Sequence, residues 1–474
     1  MVQMSSNGTI SERLAEYVTG MAIGDLPPEV VAKTKLCILD TVGCMLAGSR
    51  DEVAASLAAH ALRYDSPGPC TVFGRSGSVG PEHAALANGT SAHVLERDDG
   101  HRPSDNHLGC VVVPAALAMA QATGAPGSEL LLAVTLGYDV MGRIGEAVCL
   151  PRQGQMFHGT GTTGVFGSAA AAGKLLGLTA GQLANALGVA GDGAAGLNEW
   201  RRSRWVGHDP GGLDCMPLHA GRASQSGITA ALLAAEGFHG PATILEGRYG
   251  LCSAMTAEAR PELICAELGR RFAVIESGFK FHAGPGGVFN PIDAALWLRK
   301  EYNLDPGSIQ RIKVALPDSW RDDQARRHRP PPTVGTARYS VSFAVAAALH
   351  DGEVTHRQHT PAKLADPGIA ALEERIEFIT DPEVQEIFEA TKFDAQFFVP
   401  CALEVECGGR SYRRLERSPL GYDPKRGLTQ EQVVAKFRSL VDGVLSETQA
   451  DRVVEWVLRL DHGSKVGDLS GILA

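Results

Sequence analysis

Apolar residues recur at helical spacing through most of the first 270 residues of this chain. Leu14, Tyr17, Val18 and Met21 line one face behind Thr9 and Glu12, whose spacing predicts a capping box. Pro27 and Pro28 open a second segment, where proline costs no helical hydrogen bond, and Val30, Thr34, Cys37, Ile38 and Val42 form its stripe. The same reading predicts helices near 52–62, 81–94, 112–123, 128–147, 163–176, 180–192, 219–236 and 256–269. Many are rich in alanine and glycine, and such small residues let helices approach closely in a bundle with buried members.

Past about Gly269 the period shortens. Arg311–Leu316, Arg375–Thr380, Ala402–Cys407 and Arg410–Leu415 alternate or carry β-branched residues and read as short strands. Helical runs at Pro291–Tyr302 and Arg338–Leu349 lie between them, and Ala325–Pro332 reads as a loop. Two further capping boxes, Thr429 with Gln432 and Ser446 with Gln449, return the chain to helix at its end. The expectation is a mainly α protein with a large all-helical domain (1–269 and 417–474) and a smaller α+β domain inserted at 270–416.

Length supports that division, since 474 residues exceed what one hydrophobic core ordinarily serves. A net charge of -10 without a long basic run argues against nucleic acid as a partner. No apolar run suggests a membrane span, and the first residues lack a basic, then apolar, leader pattern. The ten cysteines form no C-x-x-C pair and sit in apolar surroundings, as buried thiols of a reducing compartment do. A cytoplasmic location is expected.

Chemistry concentrates in Asn88–Leu108, which gathers His93, Glu96, Asp98, Asp99, His101, Arg102 and His107. Gly100, Pro103 and the polar run Ser104–Asn106 break any helix there, so these groups occupy a loop after a helix ending near Val94. A solvated polar loop is the plain alternative, and a metal site is another, although the spacing matches neither H-E-x-x-H nor a Cys/His pattern. His158 precedes a Gly/Thr-rich turn into an alanine-rich helix, where backbone N–H groups and the helix dipole favour a carboxylate. Arg201, Arg202, Arg204 and Arg222 form a basic group suited to carboxylates, and Lys280 with His282 lies at the expected domain junction. No G-x-S-x-G, Walker A or dinucleotide fingerprint occurs, so histidine, lysine and carboxylates point to proton transfer.

These segments resemble the MmgE/PrpD family. The resemblance is carried by KTKLCILDTVGCMLAG, ALANGTSAHVLERDDGHR, FHGTGTTGVFGSAAAAGKLLGL, PLHAGRASQSGITAALLAAEGFHGP and LTQEQVVAKFRSLVDGVL, in the expected order. It implies a helical domain with a smaller α+β lid, a homodimer, a site in the cleft between domains, and no metal or organic cofactor. It implies a lyase, a dehydratase or decarboxylase of small carboxylic acids. An epimerase or isomerase using the same proton abstraction is the alternative, and a non-catalytic carboxylate-binding protein a third reading.

Position by position, Glu96 falls where relatives usually begin an acid-rich D-F-D-D stretch, which Asp98 and Asp99 continue. His107 matches the histidine of an H-P-S element, with Leu108 in place of the proline. His158 matches the histidine of F-H-x-T-G. Met216 stands where relatives often carry a lysine ahead of the L-H-x-G histidine, here His219. Of another family stretch only Lys280 and His282 remain. The resemblance and the residue types together make His107, His158, Lys280 and His282 the expected catalytic residues; Glu96, Asp98 and Asp99 by the resemblance, and His101, Arg102 and Arg204 by residue type, are expected to bind substrate.

Overall fold

A computed structural model describes residues 8–149, 156–202, 210–391, 398–422 and 428–473. The chain is mainly α-helical and gathers into two compact units. The first comprises Met1–Asn198, Asp214–Phe279 and Leu428–Ala474, and the second Glu199–Leu213 and Lys280–Gly427.

In the first unit the helix Gly109–Thr123 is buried from Gly109 through Ala120, and the helices Pro81–His93, Gly127–Val148 and Gly159–Leu175 lie around it. Glycine sets how closely two of them cross. A Cβ on Gly137 would lie 2.8 Å from the Gly167 carbonyl oxygen, and one on Gly167 would lie 2.8 Å from that of Gly137. Nothing larger than hydrogen fits at this crossing. The capping boxes expected at Thr9/Glu12, Thr429/Gln432 and Ser446/Gln449 are all formed. The C-terminal helix Gln430–Val441 packs on Pro28–Gly48, where the buried Lys436 Nζ lies 2.5 Å from Asp40. Lys436 also donates to the Arg97 carbonyl at 2.7 Å, which ties the end of the chain to the loop carrying Asp98 and Asp99.

One expected helix does not form. The segment 256–269 holds only a short 3-10 turn, Pro261–Leu263. Thr256 is extended, and Glu267 and Gly269 adopt left-handed backbone at φ 51° and 73°, so the chain turns instead of continuing the period. The preceding long helix, Pro210–Ala235, begins earlier than its spacing suggests and carries Pro217 inside it. Two very short strand pairs also interrupt the helical unit, Cys70–Thr71 with Ser78–Val79 and Gly100–His101 with Ser277–Gly278.

The second unit is built on a four-stranded sheet in the order Ile376–Ile379, Ile309–Ala315, Cys401–Cys407, Arg410–Glu416. The first pair is parallel, and the other two are antiparallel. Cys407 pairs with Arg410 across Gly408 and Gly409, whose φ of 58° and 75° fit the two-residue hairpin turn that matches strand twist. Ile309, Ile312 and Val314 point into a core with Leu403, Ile292, Leu298 and Val345, while Lys313 pairs with Glu404 at 2.9 Å on the half-exposed face. Among the described residues, no helix is long and apolar enough to cross a membrane.

Candidate active site

The loop after helix Pro81–His93 is not a solvated one. Glu96, Asp98, Asp99 and His101 are each 5% exposed or less. The chain leaves the helix through Glu96, whose φ of 51° is left-handed and uncommon for a side chain of its size, and the Glu96 N–H bonds back to the His93 carbonyl. This sharp exit places Asp98 beneath two imidazoles. His93 Nδ1 lies 2.8 Å and His107 Nδ1 3.5 Å from the same Asp98 Oδ2.

His107 is positioned from three sides. Its Nδ1 lies 2.6 Å from the Asp99 carbonyl oxygen, which only accepts, so Nδ1 carries the proton of the neutral ring and Nε2 is the unprotonated nitrogen. Its backbone N–H donates to Thr160 Oγ1 at 3.1 Å, next to the start of helix Gly159–Leu175. The Asp99 side chain is enclosed. It accepts the Gly109 N–H at 2.9 Å and the Tyr138 hydroxyl at 2.8 Å, and burial pushes its carboxyl up to about 7. Asp99 therefore anchors the start of helix Gly109–Thr123 and, through its carbonyl, the ring of His107.

His158 stands at the N-cap of Gly159–Leu175, a helix of 17 residues, where the dipole favours an anion. Its backbone N–H donates to the Gly196 carbonyl at 2.7 Å, and its carbonyl accepts from Gly161 and Thr162. The His93 and His158 rings stack at 5.7 Å and 19°, His93 and His107 lie 4.9 Å apart, and His158 Nδ1 meets His219 Nδ1 at 3.3 Å. His219 comes from helix Pro210–Ala235; burial and the charge of His93 lower it to about 4. His93 and His107 thus share one buried carboxylate, and the ring contacts continue from His93 to His158 and on to His219. His93 Nε2 is buried and makes no hydrogen bond among the described residues, so a polar atom stands ready for a ligand.

His101 is held by Ser104 Oγ at 2.8 Å and Glu276 at 3.4 Å, a bracing role within the first unit. Arg102 is half-buried in the turn that precedes Asn106. Arg204 lies outside the described residues, and so does the side chain of Arg202. Arg201 sits 5.8 Å over its neighbour Trp200, and Arg222 is exposed beside Gln225. Met216 is buried on helix Pro210–Ala235. In the second unit Lys280 is 2% exposed, and His282 Nε2 bonds Asp293 Oδ1 at 2.8 Å while Asp293 Oδ2 accepts the Leu420 N–H. That arrangement fixes the His282 tautomer with Nδ1 outward from the carboxylate.

The donor atoms of His93, Asp98 and Cys110 lie within 4.8 Å of one another, as those of a metal site would. Ligands of a tetrahedral zinc at about 2.0–2.1 Å stand about 3.3 Å apart. The 2.8 Å between His93 Nδ1 and Asp98 is hydrogen-bond contact, and the Cys110 thiol already donates to the His107 carbonyl. These residues fit a hydrogen-bonded cluster better than a coordination shell.

Two family models match in sequence, the MmgE/PrpD N-terminal domain over residues 12–264 and the MmgE/PrpD C-terminal domain over 282–461. The chain belongs to the MmgE/PrpD family. It is 27% identical to a cis-aconitate decarboxylase-like protein, oryM, of Aspergillus oryzae over 98% of both chains. It is 28% identical to the cis-aconitate decarboxylase of Homo sapiens, over 96% of this chain and 92% of that one. A mitochondrial 2-methylcitrate dehydratase of Yarrowia lipolytica is 23% identical over 94% of this chain and 86% of its own.

Two members of the cluster, His93 and His219, were not among the residues singled out from sequence as catalytic. Each sits inside a helical pattern, where a histidine ordinarily reads as packing. The signal available was their nearness in sequence to Asp98 and to Met216.

Proposed function

We propose that this lyase acts on a small carboxylic acid by proton transfer through His107 and His158, without a metal or organic cofactor. The observation that carries the reading is the run of ring contacts from Asp98, through His93 and His107, to His158 at the start of helix Gly159–Leu175. An imidazole titrates near neutral pH and serves either as base or as acid. The helix N-terminus supplies the positive end that a substrate carboxylate, and the enolate-like charge next to it, would need.

In a dehydration, one imidazole takes the proton on carbon beside the carboxylate. The C–H pair becomes the new C=C bond, and the other imidazole, protonated, delivers its proton to the departing hydroxyl as water. In a decarboxylation the C–C pair passes into the unsaturated acid as CO₂ leaves, and an imidazolium then protonates the carbon. The dehydration needs one acid and one base in hydrogen-bond reach of the same substrate, and the decarboxylation needs the acid alone. His107 offers Nε2 because its Nδ1 proton is committed to the Asp99 carbonyl. Asp98 stabilises positive charge on the rings it contacts.

The names of the relatives favour cis-aconitate and 2-methylcitrate as first substrates to try. Incubation of each, with a panel of di- and tricarboxylates, in D₂O followed by proton NMR separates the outcomes. Appearance of a decarboxylated or dehydrated product supports the lyase. Deuterium entering recovered substrate, with no loss of CO₂ or water, would replace it with an epimerase or isomerase.

A further inference from the structure

The contact between His158 and His219 constrains which nitrogen of His158 can move a proton. Two Nδ1 atoms face each other at 3.3 Å, with the rings 5.5 Å apart and tilted by 45°. Such a pair holds one proton, so one ring donates and the other accepts. We propose that His219 is a positioning residue that accepts a hydrogen bond from His158 Nδ1–H and leaves His158 Nε2 as the proton-transfer nitrogen. The direction of this bond and the use of that nitrogen both rest on the function proposed above, while the tautomer itself is measurable without it.

Space for the His219 ring is kept by two glycines. A Cβ on Gly161 would stand 3.0 Å from His219 Cβ, and one on Gly196, whose φ is +113°, would stand 3.4 Å from His219 Nδ1. The same segment also holds the His158 end of its helix in place. The Gly196 carbonyl accepts the His158 N–H at 2.7 Å, and the neighbouring Ala195 carbonyl accepts Thr162 Oγ1 at 2.8 Å. The acceptor ring rides on the long helix Pro210–Ala235, and the donor ring belongs to the N-cap residue of another.

The direction of the bond follows from what proton transfer requires. If His219 donated, His158 would carry its only proton on Nε2 and could not take another there. With His158 as donor, Nε2 gains and loses a proton while the bond to His219 persists, and the bond strengthens when His158 is charged. His219 is suited to accept. Burial and the charge of His93 lower it to about 4, so at neutral pH it keeps a bare nitrogen. Among the described residues, the titratable groups next to the pair include His93, stacked on His158, then His107 and Asp98 beside His93.

Long-range proton–nitrogen NMR on protein carrying ¹⁵N-histidine reads the tautomer directly, with the His158 signals assigned by their loss in His158→Gln. The wild-type chain should show His158 protonated at Nδ1. His219→Leu should move it to the Nε2–H form that free imidazole side chains favour in water, and His219→Asn, which keeps an acceptor oxygen near the Nδ1 position, should restore Nδ1–H. On whichever carboxylic acid the protein turns over, His219→Leu should lower kcat by roughly 10- to 10²-fold, short of the full general acid–base contribution. KM should change less, and the pH profile should move. Wild-type His158 protonated at Nε2, or an Nδ1–H form that survives His219→Leu, would overturn the proposal. If the tautomer responds but no acid is turned over, the proposed function fails and the positioning role stands.

Discussion

Lys436→Met removes a charge from a place that water does not reach. Lys436 and Asp40 side chains are both 0% exposed and meet at 2.5 Å, and Lys436 also serves the Arg97 carbonyl at 2.7 Å. Methionine keeps most of the apolar stem, so the loss is electrostatic more than steric. Breaking one partner of a buried pair costs about 3–5 kcal/mol, because the other charge is left without compensation. For a unit of this size that corresponds to a fall in Tm of roughly 6–10 °C.

The pH dependence gives a second, independent check. Burial raises the Asp40 carboxyl, and Lys436 is the largest influence opposing it. Without Lys436 the folded carboxyl rises further above its unfolded value, so the folded protein holds a proton that the unfolded chain releases. Low pH then favours folding, and the deficit relative to wild type should shrink from pH 8 to pH 5. Calorimetric melting of wild type, Lys436→Met, Asp40→Asn and the double variant would read all of this. The double variant should recover a large part of the loss, since no buried charge is left alone. A loss below about 1 kcal/mol, the range of an exposed pair, would refute the reasoning, as would a deficit that grows on acidification.

Three further outcomes are expected. Asp98→Asn takes the negative charge from under His93 and His107 and should lower kcat/KM by roughly 10- to 10²-fold, with the far-ultraviolet spectrum retained; unchanged turnover would remove Asp98 from the mechanism. Asp99, at about 7 when folded against 3.8 for a free aspartate, makes wild type lose stability as pH rises between those values. Asp99→Asn should therefore compare better with wild type at pH 8 than at pH 4, and parallel Tm profiles would exclude this. His219→Leu should switch the His158 tautomer, as set out above.

The helical unit was legible because its signals are local. Capping boxes at Thr9, Thr429 and Ser446 and proline at the start of Pro28–Gly48 act within one turn, and each appears where the spacing places it. The strands at Ile309–Ala315 and Cys401–Cys407 follow from alternation with one buried face. The segment 256–269 misled because its composition suits a helix, while Pro261 and the left-handed Glu267 and Gly269 turn the backbone. The loop at Asn88–Leu108 was recognisable by residue type, but its burial was not. Charged residues after a helix suggest solvent, and only the folded chain supplies Tyr138, Gly109 and Lys436 to enclose them. His219 lies 61 residues from His158 in sequence, so no periodicity links the two.

The most direct test of proton transfer by His158 is turnover by His158→Gln of the first carboxylic acid that the wild-type protein decarboxylates or dehydrates in D₂O. Glutamine keeps polarity at the start of helix Gly159–Leu175 but cannot cycle a proton, so kcat should fall by roughly 10²-fold or more with the melting temperature nearly unchanged. Turnover at the wild-type rate would contradict the assignment of His158 to the acid–base pair.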